Sequence, residues 1–174
     1  MKFSLRLLPV LLAMGCHKNN PSPLDRWPPA TQTGQYTFGC LLNGQSWTPL
    51  GFDGSSNYSV VYDPTYKLGT LNIAAYRYTD SNSNSNQTIG IFSDSMKSVG
   101  RYKLRAGGYH GAVVDIRAGC QYYSNRPPIY CQGTLVVTRL DTQAGIVSGT
   151  FEFTLAKAGC DTMKVTNGRF DYKL

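Results

Sequence analysis

The sequence has few of the residues on which most catalytic and metal sites depend. Its 174 residues include two histidines and ten acidic side chains, of which Glu152 is the single glutamate. No two lysines or arginines are adjacent, although basic residues outnumber acidic ones and give a formal charge of +7. Scattered positive charge of this size is typical of a soluble surface, and we expect no nucleic-acid partner.

Long apolar runs are also absent. The apolar run nearest the N-terminus, residues 7–14, follows Lys2 and Arg6 and ends at Gly15 and Cys16. A transmembrane helix needs about 20 apolar residues, whereas this run is less than half that long. A basic start followed by a short apolar stretch is the pattern of a cleavable export signal, which we predict for residues 1–15.

Cys16 is the predicted site of lipid attachment. The segment Ala13-Met14-Gly15-Cys16 resembles a lipobox, in which a small residue precedes a cysteine that is acylated and becomes the N-terminus. Lipoboxes usually have Leu where Ala13 stands, so the alternative is an ordinary leader in which Cys16 is lost or unpaired. Acyl chains on Cys16 would hold the protein stably on a bilayer. His17, where an inner-membrane sorting signal would have Asp, favours an outer-membrane location, with the domain in the periplasm or on the surface.

Residues 16–34 are predicted to be a tether and residues 35–174 one β domain. Four prolines between positions 21 and 29 favour extended chain in the tether. Trp27 interrupts this polar segment, and we expect its ring to rest on the domain or at the bilayer interface rather than to contact a ligand.

The domain is predicted to be all-β, because no stretch of eleven residues sustains helical spacing. Asn43-Gly44 and Asn167-Gly168 each supply the residues of a tight hairpin turn, so a hairpin is predicted at both ends of the domain. Alternation is clearest where Phe151 and Phe153 face one way and Glu152 the other. We predict an antiparallel β-sandwich or barrel of about ten strands that is held together by disulfide bonds. Strands between the hairpins are predicted at residues 58–62, 70–78, 87–93, 100–104, 112–117, 133–140 and 146–155.

Four further cysteines form an even set in a chain that we expect to be exported to an oxidising compartment. Cys120 and Cys131 flank a segment with a turn at its centre, so we predict that they pair and leave Cys40 with Cys160. The alternative is a zinc site, although no Cys-x-x-Cys spacing is present. We predict no metal and no cofactor.

Catalytic candidates do not form a recognisable set. His110, the base available outside the tether, lies in a glycine-rich segment that we expect to be a solvated loop. Pairs of acids could still serve a glycosidase, but nothing in the sequence ranks them, and no catalytic residue is predicted. These acids are Asp53, Asp63, Asp80, Asp94, Asp115 and Glu152.

Tyrosines provide the candidate ligand-binding residues. Tyr76 and Tyr78 fall within one predicted hairpin, and Tyr122 and Tyr123 lie beside Cys120. Exposed aromatic rings stack on sugars and peptides, and the alternative is that these rings pack across strands within the fold.

The domain resembles a family of small, uncharacterised Gram-negative lipoproteins. The resemblance lies in residues 37–49 (TFGCLLNGQSWTP), 145–153 (GIVSGTFEF) and 165–171 (VTNGRFD). It implies a lipid-anchored β domain and assigns no activity. Two functions remain open, a module that binds a glycan or peptide and a structural or assembly lipoprotein that contacts envelope proteins.

Overall fold

The computed structural model describes residues 27–78, 86–116 and 119–174, which form a sandwich of two antiparallel sheets. The predicted signal, Cys16 and Asp80 lie outside these residues. Within them, no helix is long and apolar enough to cross a membrane. A short 3-10 turn covers Tyr66–Leu68, and the strands are β1 Thr37–Leu42, β2 Gln45–Trp47, β3 Tyr58–Asp63, β4 Thr70–Arg77, β5 Gln87–Asp94, β6 Gly100–Arg105, β7 His110–Ile116, β8 Gln121–Tyr123, β9 Tyr130–Asp141, β10 Ile146–Ala156 and β11 Met163–Lys173.

The larger sheet has the strand order β2-β1-β11-β10-β9-β6, and the smaller sheet has the order β3-β4-β5-β7-β8. Neither sheet closes on itself, so the sandwich, and not the barrel, is the observed architecture. The predicted alternation in β10 is confirmed, because Phe151, Phe153 and Leu155 are buried while Glu152 is exposed. Apolar side chains from both inner faces make one core between the sheets.

The first predicted hairpin is confirmed. Asn43 and Gly44 have φ values of 48° and 80°, and they join β1 to β2. This pair of positive values is what a type I′ turn requires.

The second predicted hairpin is wrong. Asn167 does adopt a positive φ of 53°, but β11 runs unbroken through it from Met163 to Lys173. The pairing registers with β1 and β10 both shift at this point. Asn167 therefore forms a β-bulge, because β11 keeps the same two neighbouring strands on both sides of it instead of folding back on itself.

The predicted disulfide pairing is also wrong. Cys120 is bonded to Cys160, with the two Cα atoms 6.1 Å apart. The segment after Cys120 forms β8 and pairs with β7, so it does not return to Cys131 on β9. Cys120 precedes an edge strand of the smaller sheet and Cys160 follows β10 of the larger one. The bond therefore ties the two sheets together. Because Cys120 and Cys160 are bonded to each other, they cannot be ligands in the zinc site considered above.

Cys40 and Cys131 are free and buried. Strands β11 and β10 lie between them, a separation of about 14 Å at the usual strand spacing, which is too far for a disulfide. Burial raises the pKa of Cys40 to about 12 and also raises the pKa of Cys131. Both thiols are therefore protonated at neutral pH.

Candidate functional site

Tyr122 is not a ligand-binding residue, contrary to the prediction. Its side chain is fully buried in the core, and its hydroxyl donates a hydrogen bond of 2.6 Å to the carbonyl oxygen of Asp161. Side chains alternate between the two faces of β8, so Tyr122 points into the core while its neighbours point outward. The sequence did not show which of the two faces would be buried.

Tyr76 and Tyr78 lie together on the outer side of the smaller sheet. Their ring centroids are 5.8 Å apart in an edge-to-face arrangement. The Tyr76 hydroxyl donates to the carbonyl oxygen of Ser55 at 2.7 Å and accepts from the amide of Asp53 at 3.1 Å. Both hydrogen-bonding functions of this hydroxyl are occupied by the adjoining loop.

Tyr123 lies apart from that pair. Its hydroxyl donates to Asp115 at 2.6 Å, and the Arg126 guanidinium is stacked over its ring at 4.5 Å. Strands β5 and β7 separate β4 from β8, so the backbones that carry Tyr76 and Tyr123 are about 14 Å apart. Tyr123 and the Tyr76–Tyr78 pair therefore lie at separate positions on that sheet and do not form one aromatic cluster.

His110 is on a strand and not in a solvated loop as predicted. It begins β7, opposite the buried Ser93, whose hydroxyl is 2.8 Å from His110 Nδ1. Burial lowers the pKa of His110, which outweighs the opposite effect of the Asp94 charge. The imidazole is therefore neutral at pH 7, and because Ser93 is fully buried, a substrate cannot reach its hydroxyl.

The acidic candidates are engaged in local contacts. Asp53 and Asp63 each accept hydrogen bonds from residues two positions later, in turns. Asp94 forms an ion pair of 2.9 Å with Lys67, and Asp115 accepts the Tyr123 hydroxyl. None of these four acids borders the two cavities described next.

A groove on the outer face of the larger sheet is the main concave feature of the described surface. It consists of two adjoining cavities of about 510 Å³ and 640 Å³, which share Thr134 and Glu152. We call this feature the outer groove. Its floor is built by β9 and β10, whose alternate residues point away from the core.

Three rows of paired residues cross the outer groove from β6. Apart from Val136, the side chains of these rows carry hydroxyl, amide or charged groups, because the outward residues of each strand form them. They are Arg101, Val136, Thr150 and Arg169; Lys103, Thr134 and Glu152; and Arg105, Gln132, Thr154 and Lys164.

The N-terminal segment forms one wall of the outer groove. The Trp27 ring lies in the space above Gly39, where any larger residue would collide with the indole. The Arg169 guanidinium is stacked over the same ring at 4.5 Å. Residues 27–34, which we assigned to the tether, thus lie against the sheet.

Asp171 holds this segment in place. Its carboxylate accepts hydrogen bonds from the Thr31 hydroxyl at 2.7 Å and from the amides of Thr33, Gly34 and Gln35 at 2.9–3.1 Å. The carboxylate is nearly fully buried and also accepts the Ser148 hydroxyl at 2.6 Å. We call this arrangement the Asp171 clasp.

The clasp binds the carboxylate in its charged form. Burial alone would raise the pKa of Asp171, but the hydrogen bonds from Ser148, Thr31, Gln35 and Gly34 outweigh it and lower the pKa to about 2. A charge that is satisfied by this many donors is stable inside the protein.

Sequence reasoning missed the outer groove. The available signal was the alternation of basic residues at positions 101, 103 and 105, which places three cations on one face of a strand. A search for adjacent basic residues does not detect that pattern. The contributions of β9, β10 and β11 depend on strand order, which the sequence does not show.

Comparisons with protein-family models, curated proteins and solved structures find no match. The resemblance to the lipoprotein family stays a prediction.

Proposed function

We propose that this protein is a lipoprotein of the cell envelope whose β-sandwich binds a glycan in the outer groove. Cys16 carries the acyl chains, and the outer membrane is the favoured location. The proposal for the anchor is supported by the sequence pattern of residues 1–16.

The observation that carries glycan binding is the composition of the outer groove. Its walls offer threonine hydroxyls and the Gln132 amide, which suit the hydroxyl groups of a sugar. Tyr130, which is 51% exposed, borders the second cavity and provides an aromatic ring for stacking. Its hydroxyl is hydrogen-bonded to Gln132, so the ring and the amide are held together.

A glycan fits the outer groove better than an extended peptide does. Peptides that bind sheets usually add a strand at an edge, where backbone groups are unpaired. Strands β9 and β10 are interior strands with a paired neighbour on each side. Strand β6, at the side of the outer groove, is an edge strand, but recognition on the floor formed by β9 and β10 must use side chains, as glycan recognition does.

The position of the N-terminal segment supports a site close to the proposed anchor. Trp27 borders the first cavity, and residues 17–26 separate it from Cys16. This length of chain spans at most about 40 Å when it is fully extended. The glycan would therefore be bound near the membrane surface.

Glycan-array binding by the full chain with Cys16→Ser tests the proposal. Tyr130→Ala should abolish binding, whereas Tyr109→Ala should not, because Tyr109 is 74% exposed and borders neither cavity. The same loss in both variants, or no binding to any glycan, would exclude the outer groove as the site. Co-purification with envelope proteins would then favour the assembly role.

The anchor has its own test. The full chain expressed in a Gram-negative host should incorporate radiolabelled palmitate, and globomycin should cause the precursor to accumulate. Cys16→Ser should prevent both effects. An unlabelled protein that is unchanged by globomycin would contradict the lipid anchor.

A further inference from the structure

Basic side chains line the outer groove along β6. Arg101, Lys103 and Arg105 occupy alternate positions, are all exposed, and therefore project from the same face. Alternate residues of a strand are about 6.8 Å apart, which is shorter than the screening length of about 8 Å at physiological salt. The three charges consequently repel one another.

The opposite side of the outer groove is basic as well. Arg169 and Lys164 end two of the three rows on β11, about 14 Å from β6 at the usual strand spacing. Glu152 is the single acid that borders either cavity. Four cations, Arg101, Lys103, Arg105 and Arg169, thus border cavities whose floor carries one negative charge, and Lys164 lies beyond them at the end of the third row.

The cations of the outer groove are not neutralised by the protein. In the three described ranges the ion pairs are those of Lys67 with Asp94 and of Arg139 with Asp141. Neither pair borders the two cavities. An acidic ligand would relieve the repulsion on both sides of the outer groove, and arginine is suited to bidentate contacts with carboxylate or phosphate groups.

We propose that the outer groove selects acidic glycans, in which carboxylate or phosphate groups contact the cations of β6 and β11 while sugar hydroxyls contact the floor. This inference rests on the proposed glycan-binding function. Glu152, at the centre, disfavours an anionic group at the middle of the floor and favours a sugar hydroxyl there. The acidic groups of the ligand would therefore lie toward its sides.

Matched oligosaccharides test this selectivity. An array should carry galacturonate and mannuronate oligomers beside galactose and mannose oligomers of the same length, together with phosphorylated and unphosphorylated mannose oligomers. The proteins are the full chain with Cys16→Ser, the groove variant Arg101→Gln/Arg105→Gln, and the control variant Arg126→Gln/Lys173→Gln. The control also removes two positive charges, but from residues that border neither cavity.

The expected result is binding to acidic members in preference to their neutral partners. The groove variant should weaken that binding about 5- to 30-fold, which corresponds to about 0.5–1 kcal/mol for each of two exposed charge contacts, and the control variant should leave it within about twofold. Raising the salt concentration should reduce the preference.

Other outcomes separate the two proposals. Equal binding of acidic and neutral members would refute the charge selectivity but retain the glycan-binding function, provided that Tyr130→Ala abolishes binding. Equal weakening by the groove and control variants would show that overall charge, and not the outer groove, attracts the ligand. The absence of binding to every member would refute both proposals.

Discussion

Replacing Asp171 with Asn should release the N-terminal segment and destabilise the domain. The Asp171 carboxylate accepts five hydrogen bonds, and an amide in its place would turn one acceptor oxygen into a donor that faces other donors. The change keeps the size of the side chain, so the loss would come from charge and hydrogen bonding alone.

The magnitude follows from the pKa of Asp171. A fall from 3.8 to about 2 corresponds to about 2.4 kcal/mol of stabilisation by the charged form. The unpaired donors left by the amide add about 1–3 kcal/mol. Asp171→Asn should therefore lower the free energy of unfolding by about 3–5 kcal/mol.

The pH dependence gives a second measurement of the same effect. Because the folded pKa is below the unfolded one, this stabilisation is complete above about pH 4 and is lost as the pH falls through about 2. Urea unfolding at several pH values should therefore show the difference between wild type and Asp171→Asn shrinking on acidification.

Asp161→Asn is the matched control. Asp161 is exposed and its contact with Tyr122 uses the main-chain carbonyl oxygen, so the change should alter stability by less than about 0.5 kcal/mol. Equal stabilities for Asp171→Asn and wild type at pH 7, or a difference between them that does not depend on pH, would refute the clasp.

Three further predictions concern other parts of the fold. Replacing Cys120 and Cys160 with Ser should cost about 2–4 kcal/mol of stability, since the bond closes a loop with a separation of 40 residues, and non-reducing peptide mapping should recover this pair. Gly39→Ala should displace Trp27 and shift tryptophan emission to longer wavelength, with unchanged emission contradicting the contact. The pKa of His110 is lower in the folded state than its unfolded value of about 6.5, so neutral His110 should contribute to stability above pH 6.5, and this contribution should be lost as the pH falls. A His110 pKa above 6.5 measured by NMR in the folded protein would contradict this.

The sequence was sufficient for local structure. The alternation in β10 and the Asn43-Gly44 turn depend on residues that are neighbours in the chain, and both are as predicted. The all-β class also follows from local preference, because short alternating segments cannot form amphipathic helices. Predictions failed where the same local signal fits two structures, as at Asn167, whose positive φ serves a bulge within a continuous strand.

Cysteine pairing and the candidate site were decided by tertiary structure. Cys120 is far from Cys160 in sequence, and it meets Cys160 because the two sheets pack face to face. The clasp joins Asp171 to a segment more than 130 residues away. Contacts of this kind depend on strand order, which no local pattern encodes.

The charge distribution of the chain also depends partly on the sequence and partly on the tertiary structure. Composition established a positive excess, but the prediction did not use the alternation of Arg101, Lys103 and Arg105, which the structure places on one face of β6. Only the order β6-β9-β10-β11 places Arg169 on the other side of the same groove, because strands that are neighbours in a sheet need not be neighbours in sequence. The sequence alone thus determined the class of fold and the sign of the charge, while the packing of the strands decided where that charge forms a site.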